Sequence, residues 1–494
     1  MGVKGKSRKA ETDASKEVAA AAFSRMGERP GDDDPEAQAE WDSMADAASG
    51  IRTAENWGYS TSDLNAEFAL AVIGTRAMIV HEKPDATPED RLRFLQIDAF
   101  KAIYQNRMTE IRGSDGKLKS VSWATRWLAD RKRLTYDGIE FLPGVGDVGT
   151  PGYLNLWCGF SVEPRQGGSY AIFRDHLLTN VCNDDRALFD WIFGWFAHMV
   201  QNPREKPGTA IVLRGGMGTG KTKVGQVFGS LVRAHHFLID DPRYLLGQFN
   251  SHMAACLFLQ AEEAVWAGDK QAEGRLRGLI TSEFQMIEQK GVDPIRMRNF
   301  VRLLMTSNED WVVPAGKDER RFATFDVNPR CARNYDYFAE MDHELDSGGR
   351  EALLYDLLAF DLSKVNLREI PKTEALLEQK TRSLDPLEEW LLDRLNAGAP
   401  TRALDHWPDQ VERSSLYDDY VRETERMGVR RRAGQTQLGR KLKKLFPSIR
   451  DGRLTDATGH RSRVYYLPSL RECRESFAET FGQGFKWESD DGDV

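Results

Sequence analysis

The hydrophobic pattern changes character several times along the 494 residues. Residues 1–60 hold eight Lys/Arg and twelve Asp/Glu, with the acidic cluster Asp32-Asp33-Asp34-Pro35, and read as a disordered leader with at most a helical piece around Ser15–Met26. From 61 to 185, short apolar runs stand among glycines and prolines. Phe68–Val80 reads as a strand and turn, Pro88–Gln105 as a helix, and Tyr136–Pro143 and Tyr153–Phe160 as short strands, together an N-terminal accessory α/β domain. Between 186 and 345 apolar strands alternate with helices. Strand Thr209–Leu213 leads to helix Thr222–Ala234, strand Ala255–Ala261, helix Lys270–Ile280, an alternating pair around a turn, and the apolar run Val301–Met305. Continuous apolar strands separated by helices predict an α/β fold around a buried parallel sheet. Residues 346–384 read as a helical linker rich in Leu and Glu, 385–480 as a last unit, and 481–494 as an acidic tail. In that last unit, helix Ser415–Met427, helix Gln435–Phe446 and strand Arg461–Leu467 give the order helix, helix, basic hairpin, which predicts a winged helix.

Composition narrows the class. With 40% hydrophobic and 29% charged residues the chain has material for a sizeable core and is neither fibrous nor wholly disordered. The formal charge of −8 argues against a DNA-coating protein, yet Arg430–Arg463 carries eleven Lys/Arg against two Asp, a local excess suited to phosphate contacts. Cys158, Cys182, Cys256, Cys331 and Cys473 form no CxxC pair, which argues against a zinc site or a disulfide framework and for a reducing compartment. The longest apolar stretch, Trp191–Val200, is too short for a membrane span, so a soluble protein without a membrane partner is expected.

The strongest chemical signal is Gly215-Gly216-Met217-Gly218-Thr219-Gly220-Lys221-Thr222, a full GxxxxGKT between an apolar strand and a helix. Gly215, Gly218 and Gly220 let backbone N–H groups turn inward around phosphates, and the helix N-terminus adds partial positive charge. Lys221 is expected to reach the β/γ-phosphates and the Thr222 hydroxyl to ligate Mg²⁺, which makes ATP and Mg²⁺ the expected cofactors. The next apolar strand exits in Glu262-Glu263, the first acid placed for Mg²⁺ and the second for polarising the attacking water. Alternation around Gly291-Val292-Asp293-Pro294 predicts a β-hairpin with Lys290 at its tip and Arg296 and Arg298 on the returning arm. The following strand ends in Asn308, whose amide can hold a γ-phosphate or the lytic water, and Arg320-Arg321 offer guanidinium groups for phosphoryl charge.

Phosphate loop, Glu-Glu strand, Lys-tipped hairpin, strand ending in Asn and Arg-Arg follow in an order that resembles the superfamily 3 helicases, AAA+ ring motors of small viruses, phages and plasmids. It is most similar to the helicase domain of phage and prophage primase-helicase proteins, over about 186–345 by motif and 385–480 more loosely. The resemblance implies an AAA+ phosphate-loop NTPase core followed by a winged-helix domain. Lys221 and Thr222 match the Walker A positions, Glu262 and Glu263 Walker B, Asn308 sensor 1, and Arg320 or Arg321 the arginine finger. Lys290 matches the hairpin residue that tracks single-stranded DNA. Glu262 stands where the broader AAA+ pattern has Asp. The resemblance also implies a homo-hexamer acting in phage replication in the bacterial host cytoplasm, with single-stranded and duplex DNA and a primase or polymerase as partners. Arg440, Lys443 and Lys444 on the second helix of the last unit are expected to contact duplex DNA. Residues 61–185 show neither the paired carboxylates nor the zinc cysteines of a fused primase. Two other functions fit the same motifs: an ATP-switched DNA-binding initiator or loader, and an AAA+ remodeller of proteins. The hairpin lysine separates them, since only a translocase needs it.

Overall fold

The computed structural model describes residues 58–83, 86–112, 116–144, 149–247, 250–263, 270–288, 293–313, 315–429, 431–455, 461–482, 484, 485 and 487. Residues 1–57 of the expected leader and residues 289–292, with Lys290, lie outside them. The chain divides into two compact units. In the first, helix Thr61–Glu67 is capped by Ser60, whose hydroxyl accepts from the Asp63 N–H. Its Leu64 joins Phe68, Ile79, Phe100, Tyr104, Trp123 and Trp127 in a buried aromatic cluster. The long helix expected over Pro88–Gln105 is instead helix Pro88–Arg91, strand Leu92–Leu95 and helix Ile97–Ile103. Leu92 and Phe94 alternate with Arg93 at strand period, and Gln96 takes an extended ψ of 149° that begins a new helix.

The second unit takes in residues 136–494 together with 71–76 and 83–92. Helix α1 (Arg186–Gln201) starts where the Asp185 carboxylate accepts from the N–H groups of Ala187 and Leu188, and buries apolar residues all round, including Trp191, Ile192, Trp195 and Phe196. Then follow β1 (Ala210–Arg214), α2 (Lys221–Ser230), β2 (His236–Ile239), β3 (Phe258–Glu262), α3 (Lys270–Thr281), β4 (Phe284–Ile287), β5 (Ile295–Arg298), β6 (Arg302–Ser307) and β7 (Phe322–Asp326). Five of these strands form one sheet in the order β2-β3-β6-β1-β7, every pair parallel. β4 and β5 pair antiparallel, with Met286 opposite Arg296, as the expected hairpin. In a parallel sheet all carboxyl ends share one edge. The loop after β1, the acids after β3 and Asn308 after β6 therefore meet there, on neighbouring strands about 4.8 Å apart. Glu262 stands opposite Thr306 in register, and Ser307 opposite Arg214.

Helices α4 (Tyr335–Glu344), α5 (Arg350–Ala359) and α6 (Glu374–Arg382) follow. Gln379 of α6 is fully buried and accepts from the N–H groups of Val312 and Val313, and Arg214 pairs with Asp326 of β7 and Glu378 of α6. The last elements are α7 (Pro386–Asn396), β8 (Gln410–Glu412), α8 (Arg413–Arg426), α9 (Gln435–Leu445), β9 (Arg450–Thr455), β10 (Arg461–Tyr466) and α10 (Leu470–Phe481). Their strands form an antiparallel sheet, β8-β10-β9, over a core of Trp390, Leu395, Tyr420, Leu442, Tyr465 and Phe477. Among the described residues no helix is long and apolar enough to cross a membrane.

Burial makes this unit acid-sensitive. It holds His176 and His236 at about 4 and His235 at about 3, against a free value of 6.5. His198 is likewise held at about 4 by burial, so the unfolded chain takes up four protons that the folded chain refuses. The associated stability is complete above pH 6.5 and is lost as pH falls toward 4, by up to about 1.4 kcal/mol per pH unit for each histidine. Thermal unfolding of the full chain is expected to shift downward between pH 6.5 and 5, before carboxylates titrate; an unchanged midpoint there contradicts this account.

Candidate functional site

The loop between β1 and α2 needs glycine where the backbone departs from ordinary space. Gly215 has φ +149°, and a Cβ there would lie 2.8 Å from the Val327 carbonyl oxygen. Gly220 has φ +88° and is packed on the buried His176 ring, which a Cβ would meet at 2.5 Å. So held, the loop lines a cleft of about 460 Å³ with Met217, Gly218, Lys221 and Thr222. Glu262, Glu263, Thr306, Asn308 and Phe338 complete it.

Lys221 is 7% exposed, and its ammonium donates to the carbonyls of Gly215 at 2.6 Å and Gly216 at 2.7 Å and to Asn308 Oδ1 at 2.9 Å. Burial pulls its pKa below the usual lysine value, while Glu263 and Glu262 oppose that pull. Glu263 sits at φ +48°, an uncommon left-handed conformation for a non-glycine residue. Its carboxylate accepts from the Asn308 N–H at 2.7 Å and the Ser307 hydroxyl at 3.0 Å. Glu263, Asn308 and Lys221 thus form one chain of contacts across the carboxyl edge.

Glu262 is steered from within the sheet. Gln260, fully buried on β3, donates from its amide nitrogen to the Glu262 carboxylate at 2.7 Å and the Thr222 carbonyl at 3.1 Å, and its amide oxygen lies 3.1 Å from His236 Nε2. A Cβ on Gly225 of α2 would lie 2.2 Å from the Gln260 side chain, so the missing side chain is what admits it. Sequence reasoning assigned Gln260 no role; the signal was one amide inside the otherwise apolar Cys256–Ala261.

Arg320 and Arg321 do not line this cleft. They precede β7 and so lie at the amino edge of the sheet, roughly 16 Å of strand away from the carboxyl edge. Arg321 is bound to the buried Glu319 carboxylate at 2.8 Å, whereas Arg320 is exposed and makes no ion pair among the described residues. On the hairpin, the Arg296 guanidinium lies 3.9 Å from the Phe284 ring centroid, and Arg298 pairs with Glu283 at 3.4 Å.

On the last unit, α9 divides two basic clefts. One, of about 570 Å³, is lined by Arg413, Arg440, Lys443, Arg461, Arg463 and Tyr465. The other, of about 640 Å³, is lined by Arg431, Arg432, Arg440, Lys441 and Lys444. The adjacent Lys443 and Lys444 therefore face different clefts. Lys443 is bound to Asp451 at 2.6 Å, a contact that holds that carboxyl below its usual range, and Arg413 shares Asp451 at 2.5 Å. Lys441 is bound to Asp385 and to Glu388, which also holds Lys317 at 2.6 Å.

Residues 213–321 match the model of a protein family of unknown function, DUF5906. Over 232 residues the chain is 26% identical to the DNA primase-polymerase of Nitratiruptor phage NrS-1, a match covering 44% of this chain and 32% of that protein. The chain thus corresponds to about a third of the relative's length. The apo structure of the NrS-1 C-terminal region matches with a TM-score of 0.59 at 17% identity, over 83% of this chain and 99% of that one. A second apo form gives 0.58 at 16% identity. The fold is mixed α/β with a parallel sheet, similar to that C-terminal region.

Proposed function

We propose that this chain is an ATP-dependent DNA helicase, a superfamily 3-like AAA+ ring translocase acting in phage DNA replication. The observation that carries the reading is the convergence of Lys221, Thr222, Glu262, Glu263 and Asn308 on one cleft at the carboxyl ends of three adjacent parallel strands. The similarity to a phage DNA primase-polymerase, whose C-terminal region matches over 83% of this chain, supports a replication setting.

The residues present fit ATP and Mg²⁺. The inward-turned loop and the first turn of α2 suit phosphate oxygens, and the Thr222 hydroxyl and Glu262 carboxylate are hard oxygen donors of the kind Mg²⁺ takes. Bound Mg²⁺, held by Thr222 and Glu262, would neutralise phosphate charge. Lys221 holds the β/γ-phosphates, Gln260 aims Glu262, and Glu263, fixed by Ser307 and the Asn308 N–H, accepts a proton from the attacking water. Arg320 is free to complete the cleft of a neighbouring copy, and Arg321 is retained by Glu319. This division requires an oligomer, which we take to be a hexamer. Arg440, Lys444, Arg461 and Arg463 are offered to duplex DNA on a winged-helix unit. The test is strand separation of a forked duplex with and without ATP. ATP-dependent unwinding is expected; ATP turnover without unwinding would favour the loader.

A further inference from the structure

A cleft of about 520 Å³ opens between the base of the hairpin and the short parallel strands Gly138–Glu140 and Tyr153–Asn155, a region whose sequence carries no recognisable chemistry. Its volume lies in the range small-ligand sites occupy, roughly 300–1,000 Å³. Arg296, Arg298 and Phe284 line one side, and Tyr153 and Phe141 the other. Arg296 and Arg298 stand two residues apart on β5 and so share a face; both are exposed. Arg296 makes no ion pair among the described residues, and its guanidinium is laid over Phe284 at 3.9 Å. Among the described residues the one ion pair of Arg298 is with the exposed Glu283, a type of pair worth little in water. Tyr153 is 42% exposed, a large open ring. Among the described residues the one acid lining the cleft, Glu140, is already engaged by Thr150, through its N–H and its hydroxyl at 2.8 Å.

An open aromatic ring, Tyr153, beside guanidinium groups held by no buried acid is the chemistry that holds a nucleotide: the base stacks and the phosphate is gripped. We propose that this cleft binds one nucleotide unit of single-stranded DNA, with Tyr153 as the stacking platform and Arg296 and Arg298 as the phosphate grip. The strands Gly138–Glu140 and Tyr153–Asn155 are then the second wall of the strand's path along the hairpin. This rests on the DNA-translocase reading and adds to it a site away from the hairpin tip.

The probe is fluorescently labelled oligo(dT), bound to the full chain without ATP and followed by anisotropy. Tyr153→Ala is expected to weaken binding about tenfold, with Tyr153→Phe close to the parent protein. Arg296→Gln is expected to weaken it and reduce the log–log salt slope by about one unit. An unchanged thermal midpoint and DNA-free ATP turnover in Tyr153→Ala show that the fold and nucleotide cleft are intact. Parent-like oligo(dT) binding by Tyr153→Ala overturns the proposal, as does displacement of the probe by free dTMP at equal nucleotide concentration, which would make the ligand a mononucleotide. Loss of ATP turnover in the parent protein, with Tyr153-dependent binding retained, would sink the ATPase and leave this site standing.

Discussion

Lys221→Ala is expected to lower ATP turnover by at least about 10²–10³-fold, the usual cost of removing one preorganised charge from a reacting oxyanion. The ammonium contacts the Gly215 and Gly216 carbonyls and Asn308, so its loss strips charge from the loop and unties the loop from the end of β6. Glu263→Gln is the more informative partner. Glutamine keeps an acceptor oxygen for the Asn308 N–H and turns its amide N–H toward the Ser307 oxygen, where the hydroxyl donated to carboxylate before, but it cannot take a proton. ATP binding is therefore expected near the parent level, with turnover reduced about 10²–10⁴-fold. Binding is read with a fluorescent ATP analogue and turnover by phosphate release. Parent-like turnover in either variant removes this cleft as the hydrolytic site.

Lys290→Ala is expected to abolish unwinding and stimulation by single-stranded DNA while leaving DNA-free ATP turnover within about twofold. The connection from cleft to hairpin is short and stiff. β5 ends at Arg298, and β6 runs from Arg302 to Ser307, just before Asn308. Between them the buried Asn299 donates to the carbonyls of Leu279 and Ser282, which fixes the pivot. Six residues of fully buried strand thus join Asn308 to the hairpin base. Removing the Lys290 charge leaves the described groups of the cleft unaltered. Parent-level unwinding by Lys290→Ala would remove the pore role and favour the loader.

The elements around the phosphate loop were legible because their signals are local. Glycines, lysine and threonine stand within eight residues, and β1, β3 and β6 are built on the apolar runs Ala210–Leu213, Cys256–Leu259 and Leu303–Met305. The sheet order was not legible, since nothing in the sequence says that β6 lies between β3 and β1. The different fates of Arg320 and Arg321 were hidden for the same reason. Helix α10 was missed because Arg471, Glu472, Arg474, Glu475 and Glu479 mask the stripe Cys473, Phe477 and Phe481 that joins the core. Its start was readable: the hydroxyl of Ser469 accepts from the Glu472 N–H and the Glu472 carboxylate accepts from the Ser469 N–H, a reciprocal cap. Likewise Asp385 caps α7 just before Pro386 at its first position.

Arg320 stands at the far edge of the sheet from the loop of its own chain, and that separation is set by the strand, not by a flexible segment. If each hydrolytic centre takes Lys221 from one chain and Arg320 from the next, a closed ring holds as many centres as chains, and every chain belongs to two of them. A chain bearing both Lys221→Ala and Arg320→Ala then silences its own centre and its neighbour's. Doped at random into parent rings at one half, such chains leave about a quarter of the centres whole, the square of the parent fraction. A self-contained ATPase would keep about half. The curvature of turnover against dopant fraction therefore reads the assembly directly, with no need to see the ring.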